Sequence, residues 1–132
     1  MKKTQLTGIP ETIEQALETL TEFYSQSLPQ IKEMSPKDFE AYANFGAGMF
    51  IRDAWYLWWY DGHYYDKWPS EKPPLVKCFN DLGIAHPDNM SNILMTCSYR
   101  NVHNLPLGIE VQIDTYKNYW RGQGFEDGVP VY

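Results

Sequence analysis

The sequence predicts an all-α fold, a small single-domain bundle of about five helices around a central aromatic-rich helix at residues 36–60. Three observations carry this. Apolar residues recur at helical spacing in several windows. Helix-start pairs such as Ser35-Pro36 and His86-Pro87 precede those windows. A length of 132 residues suits one core, with no repeat or low-complexity tract to divide it.

The first helix is expected from Pro10, whose fixed φ suits a first helical position. Ile13, Leu17, Leu20, Tyr24 and Leu28 keep its apolar face, Glu11, Glu14, Glu18 and Glu22 form a solvated stripe on other faces, and Pro29 is expected to stop it. Ser35 is the expected N-cap of the central helix, with Pro36 at its first position. From Phe45 to Tyr60 apolar side chains point in nearly every direction, as in a helix surrounded by others. Gly46 and Gly48 each cost about 1 kcal/mol of helix propensity and are expected where another backbone approaches closely.

Residues 61–74 are rich in Gly and Pro and read as a loop insertion. A third helix fits Leu75 to Asp81, with Gly83 as its C′ residue. His86-Pro87-Asp88 opens a fourth, with Met90, Ile93, Leu94, Cys97 and Val102 mostly on one side. Pro106 interrupts, and Ile109, Ile113, Tyr116 and Trp120 mark a fifth. Residues 122–132 read as an irregular C-terminal tail.

Composition narrows function by exclusion. A net charge of −6 disfavours duplex nucleic acid, which is bound by neutralising phosphates with a basic face. No stretch is long and apolar enough to span a bilayer, and Met-Lys-Lys is followed by no apolar signal segment, so no membrane partner and a cytoplasmic location are expected. Cys78 and Cys97 lack disulfide-framework or metal spacing and read as core thiols. His63, His86 and His103 match no metal motif. No nucleophile–base pair or phosphate loop is present, so the expectation is a protein without catalytic residues, metal or cofactor.

Two segments together, Phe45-Gly46-x-Gly48-x-x-Ile51-Arg52-x-x-Trp55-x-Leu57-Trp58 and Gly83-Ile84-x-His86-Pro87-Asp88-x-Met90-Ser91-x-Ile93-Leu94, resemble a family of small bacterial and phage proteins known only as a domain of unknown function. The resemblance covers most of residues 10–120. It implies a compact helical domain and brings no established activity. Against it, Asp53 and Asn89 stand where an amide and an acid are expected, and the 61–74 loop is longer than the family's short connection.

Arg52 lies among Trp55, Tyr56 and Trp59. A buried guanidinium needs a carboxylate, and Asp88 or Asp81 can supply it. One reading is a structural clamp formed with Asp88 and the neighbouring His86. The other is an arginine that grips an anion while aromatics stack on a ring. Arg100 and Arg121 also adjoin aromatics, a pairing that suits nucleotide-type ligands. Tyr64, Tyr65 and Trp68 stand in a loop with no core of its own, as at binding hot spots. The expected ligand-binding set is therefore Arg52, Trp55, Tyr56, Trp59, Tyr64, Tyr65, Trp68 and Arg100.

The expected function is non-catalytic capture of a small anionic or nucleotide-type ligand, with interference in a host defence signal as the role suggested by the phage proteins in the family. The alternative is a protein-interaction module, an inhibitor or immunity-type protein, using the 61–74 loop. The apolar fifth-helix face and the tail could also support a homo-oligomer.

Overall fold

Seven helices and no strand make up the described residues of the structure, a computed structural model that describes residues 9–23, 28–42 and 46–130. They are α1 (Ile13–Phe23), α2 (Leu28–Glu33), α3 (Pro36–Tyr42), α4 (Gly48–Ala54), α5 (Pro74–Asp81), α6 (Pro87–Val102) and α7 (Ile109–Gly122). The all-α expectation holds. Two of the expected helices are divided differently, and each division has a local cause.

Pro29 does not stop the first helix. It sits at the second position of α2, in a first turn where its missing N–H costs no hydrogen bond. Tyr24 and the side chain of Leu28 lie outside the described residues.

The expected helix over 36–60 is two shorter ones. Ser35 caps the first as expected, its Oγ accepting from the Asp38 N–H at 3.1 Å. Residues 46–47 form a π-type turn leading into α4, and Phe45 lies outside the described residues. Gly46 is exposed, and among the described residues a Cβ there would touch the Tyr42 ring, at 3.5 Å, and no other backbone. α4 then ends at Ala54, because Tyr56 takes a left-handed φ of +53°. The Leu57 N–H reaches the Arg52 carbonyl at 3.0 Å and the Tyr56 N–H faces the Asp53 carbonyl at 3.5 Å, the two closing bonds of a Schellman turn. The same turn ends α5 at Gly83, α6 at Asn104 and α7 at Gly124. Glycine and asparagine tolerate left-handed φ; tyrosine is the exception.

The helix on which the others pack is α6, not the 45–60 segment. α1, α2, α4 and α7 all lie against it. At 16 residues it is the longest, and Met90, Ser91, Ile93, Leu94, Met95 and Cys97 are buried along it. Ile51, Trp55 and Leu57 complete this core from the α4 side, with Ala16 and Leu20 from α1 and Phe79 from α5. The 45–60 run is not buried all round: Met49 and Phe50 are about half exposed. The tail is expected from residue 122, but Gly122 is the last residue of α7; over 123–130 the chain forms no helix and passes so close that a Cβ on Gly128 would stand 2.8 Å from the Lys117 carbonyl oxygen. Val131 and Tyr132 lie outside the described residues.

Candidate functional site

The Schellman turn at Tyr56 reverses the chain, so residues 57–60 leave the helix axis and meet the 61–73 loop. Leu57 and Trp59 turn inward, while Trp58 and Tyr60 remain 44% and 41% exposed. One backbone acceptor fastens the loop to Trp59. The Pro69 carbonyl receives the Trp59 indole N–H at 2.8 Å and lies 2.8 Å from His63 Nε2. His63 Nδ1 accepts from the Tyr65 N–H at 3.3 Å, which places the ring proton on Nε2, where it points at Pro69. Trp68 fits edge-on to Tyr60 at 5.8 Å between ring centres, and Tyr65 lies 4.6 Å from Trp68. Edge and offset contacts of this kind hold aromatic rings in fixed orientations.

Together these rings line a half-open cleft of about 350 Å³ formed by Leu57, Trp58, Trp59, Tyr60, Tyr65, Trp68, Ala85 and Pro87. A wider cleft beside it shares Trp59, Tyr60 and Ala85 and adds Asp61, Lys72, Asn80 and the tail residues Val129 and Pro130. Lys72 puts a cation on the wall of this wider cleft, and its Nζ donates to Asn80 Oδ1 at 2.9 Å.

Behind the cleft, Arg52 joins α4 to the start of α6. Its Nη1 donates to Ser91 Oγ at 2.8 Å, and its Nε lies 3.4 Å from Asp88 Oδ1. Asp81 instead faces Lys77 at 3.9 Å on the surface. His86 is the N-cap of α6, its Nδ1 accepting from the Asp88 N–H at 3.0 Å. The imidazole stacks on Trp120 at 5.6 Å and meets the edge of Trp58 at 5.8 Å. Burial among these rings lowers the His86 pKa below its ordinary value; Asp88 opposes that shift and Arg52 adds to it.

The expected ligand-binding residues are thus divided. Trp59, Tyr65 and Trp68 meet at the cleft, and Tyr64 stands 81% exposed beside it, stacked on Tyr65 at 5.0 Å. Trp55 is wholly buried in the core, and its Nε1 has no acceptor among the described residues. Tyr56 is half-buried and supplies the turn, while Arg52 is committed to α6. Arg100 borders a different cleft, with Phe39, Tyr99 and Tyr116, and donates to the Pro106 carbonyl. Arg121 donates to Asn118 on α7. None of the three arginines lines the aromatic cleft.

Sequence reasoning missed Leu57, Trp58, Tyr60, Ala85 and Pro87 as lining residues. The two aromatics were visible, but they were assigned to the helix that Tyr56 in fact ends. Among the described residues no three His, Cys, Asp or Glu side chains gather as a metal site, and no helix is long and apolar enough to cross a membrane.

No curated protein and no solved structure matches the chain. A family model does match residues 9–102, which hold the Arg52 clamp, the aromatic loop and the whole of α6. The chain accordingly belongs to the family described as a domain of unknown function, DUF6794.

Proposed function

We propose that the protein is a non-catalytic binding module that captures a small ring-bearing ligand of the nucleotide type in the aromatic cleft, and so sequesters it. The observation that carries this reading is the convergence of Trp58, Trp59, Tyr60, Tyr65 and Trp68 on one cleft of about 350 Å³. That volume falls within the range of small-molecule sites, about 300–1,000 Å³. Stacking of a base on an aromatic side chain is worth about 1–3 kcal/mol. The Pro69 carbonyl holds the loop before a ligand arrives, which lowers the ordering cost of binding.

The division of the arginines shifts the emphasis of recognition from phosphate to ring. The base enters between Trp68, Tyr65 and Trp58, and an anionic group reaches toward Lys72 in the adjoining cleft. Calorimetry with nucleosides and with linear and cyclic nucleotides tests this. Heat for at least one of them, lost in Trp68→Ala, supports it; no heat for any of them ends it.

A second reading, a protein-interaction module, is favoured by one observation: aromatic surface continues beyond the cleft onto Tyr64, which is far more exposed than any lining ring. Tyr64→Ala separates the two readings. It leaves small-ligand binding intact and weakens only a protein contact.

A further inference from the structure

We infer that the groove between α1 and α6 is a second docking surface, fitted to a basic amphipathic helix of a partner protein. The groove has a volume of about 560 Å³ and lies apart from the aromatic cleft, with which it shares no lining residue. Its apolar floor is formed by Leu17, Cys97 and Leu107. Burial of Cys97 raises its thiol pKa, as a largely apolar setting requires.

One wall is a row of three carboxylates. Glu14, Glu18 and Glu22 are exposed and follow one another at four-residue intervals along α1, all bordering the groove. Like charges at that spacing repel, so the row is unfavourable to α1 itself. Among the described residues no Lys or Arg forms an ion pair with any of the three. Arg100, whose charge is felt at Cys97, donates to the Pro106 carbonyl instead. The opposite wall offers Ser98 and Asn101, neither of them charged.

An apolar floor beside a one-signed wall selects its occupant. An amphipathic helix sets apolar anchors at i, i+3, i+4 and i+7 into such a floor, and its flanking Lys and Arg then face the glutamates. From Glu14 to Glu22 the wall runs about 12 Å, a little over two helical turns. The protein's net charge of −6 acts in the same direction by steering basic partners toward it. The stripe that reads from sequence as mere solvation is, in the fold, one side of a groove.

The test uses fluorescence anisotropy of a labelled helical peptide of about 18 residues, long enough for a stable helix, with leucine on one face and lysine on the other. The intact protein binds it, more weakly as salt rises. The triple variant Glu14→Gln/Glu18→Gln/Glu22→Gln weakens binding at least ten-fold. The charge-matched control Glu110→Gln/Asp114→Asn/Glu126→Gln changes it less than two-fold. A peptide with alanine in place of leucine does not bind. Equal losses in the two triple variants, equal binding of the alanine peptide, or no binding at all would overturn the inference. Because the first triple relieves repulsion along α1, its fold is retained, which circular dichroism checks. The aromatic cleft is not involved, so Trp68→Ala leaves the peptide affinity unchanged.

Discussion

Arg52 and Ser91 are joined by a 2.8 Å hydrogen bond in the interior, and through it α4 is held to the second turn of α6. Ser91 is fully buried and donates in turn to the Asp88 carbonyl at 3.1 Å. The guanidinium is also within 3.4 Å of the Asp88 carboxylate, whose side chain is half exposed. The two partners therefore differ in what happens when the arginine is lost, since Asp88 regains water and Ser91 does not.

Arg52→Ala is expected to destabilise the fold by about 2–3 kcal/mol, short of the loss seen when both members of a pair are buried. Ser91→Ala should cost about 1–2 kcal/mol, because the guanidinium keeps its neighbour Asp88. Urea unfolding of both variants checks the order. If Arg52→Ala proved as stable as the parent, the clamp would have no structural weight.

Tyr56 offers a test of backbone strain. A left-handed φ costs a residue bearing a Cβ about 1 kcal/mol, and glycine escapes that cost. Tyr56→Gly is therefore expected to be about 1 kcal/mol more stable than Tyr56→Ala, both lacking the ring. Thermal melts of the pair give the difference. The reverse order would place the end of α4 elsewhere.

The shared acceptor at Pro69 predicts a local effect. Trp59→Phe keeps a ring at the site but removes one donor to the Pro69 carbonyl, for a loss of about 1 kcal/mol. Faster amide exchange should appear at residues 61–70, with the α6 core amides little changed. Loss of protection spread evenly over α6 would contradict the loop's fastening as described.

His86 makes stability depend on pH. Its folded pKa lies below the ordinary 6.5, chiefly because burial disfavours the imidazolium. As pH falls below 6.5 the unfolded chain takes up a proton that the folded one still refuses. This contribution is therefore intact above 6.5 and is lost as pH falls through the folded pKa. Protonation also removes the Nδ1 acceptor that caps α6. Urea midpoints at about pH 7.5 and about pH 5 should fall with acid in the parent, and fall less in His86→Asn, which can cap without titrating.

Two helix starts were plainly legible in the sequence, whereas Pro10 stands three residues ahead of α1, which begins at Ile13. Ser35-Pro36 and His86-Pro87 combine a capping acceptor with a residue that needs no helical donor, and both begin helices where expected. Gly83 marks the end of α5 by a different local cue, a left-handed φ of +86° that glycine adopts freely. Pro29 misled because proline stops a helix only in its interior, and nothing local reveals that a new first turn begins there. Tyr56 misled more, since its left-handed backbone belongs to a residue type that rarely adopts it. With that turn hidden, residues 57–60 read as spine, and Trp58 and Tyr60 were lost to the site. The role of α6 was hidden for another reason: which helix gathers the others depends on packing between distant segments, whereas aromatic density is only local.

We propose that the aromatic cleft, and not the arginines, receives the ligand. The five tryptophan indole N–H signals test it most directly, because Trp58, Trp59 and Trp68 line the cleft while Trp55 is sealed in the core and Trp120 is held by Asn89 on the far side of His86. In nitrogen–proton correlation spectra, titration with the nucleosides and nucleotides should move the signals of Trp58, Trp59 and Trp68 and leave that of Trp55 in place. Spectra unchanged with every one of these ligands, or shifts confined to residues around Arg100, would contradict it.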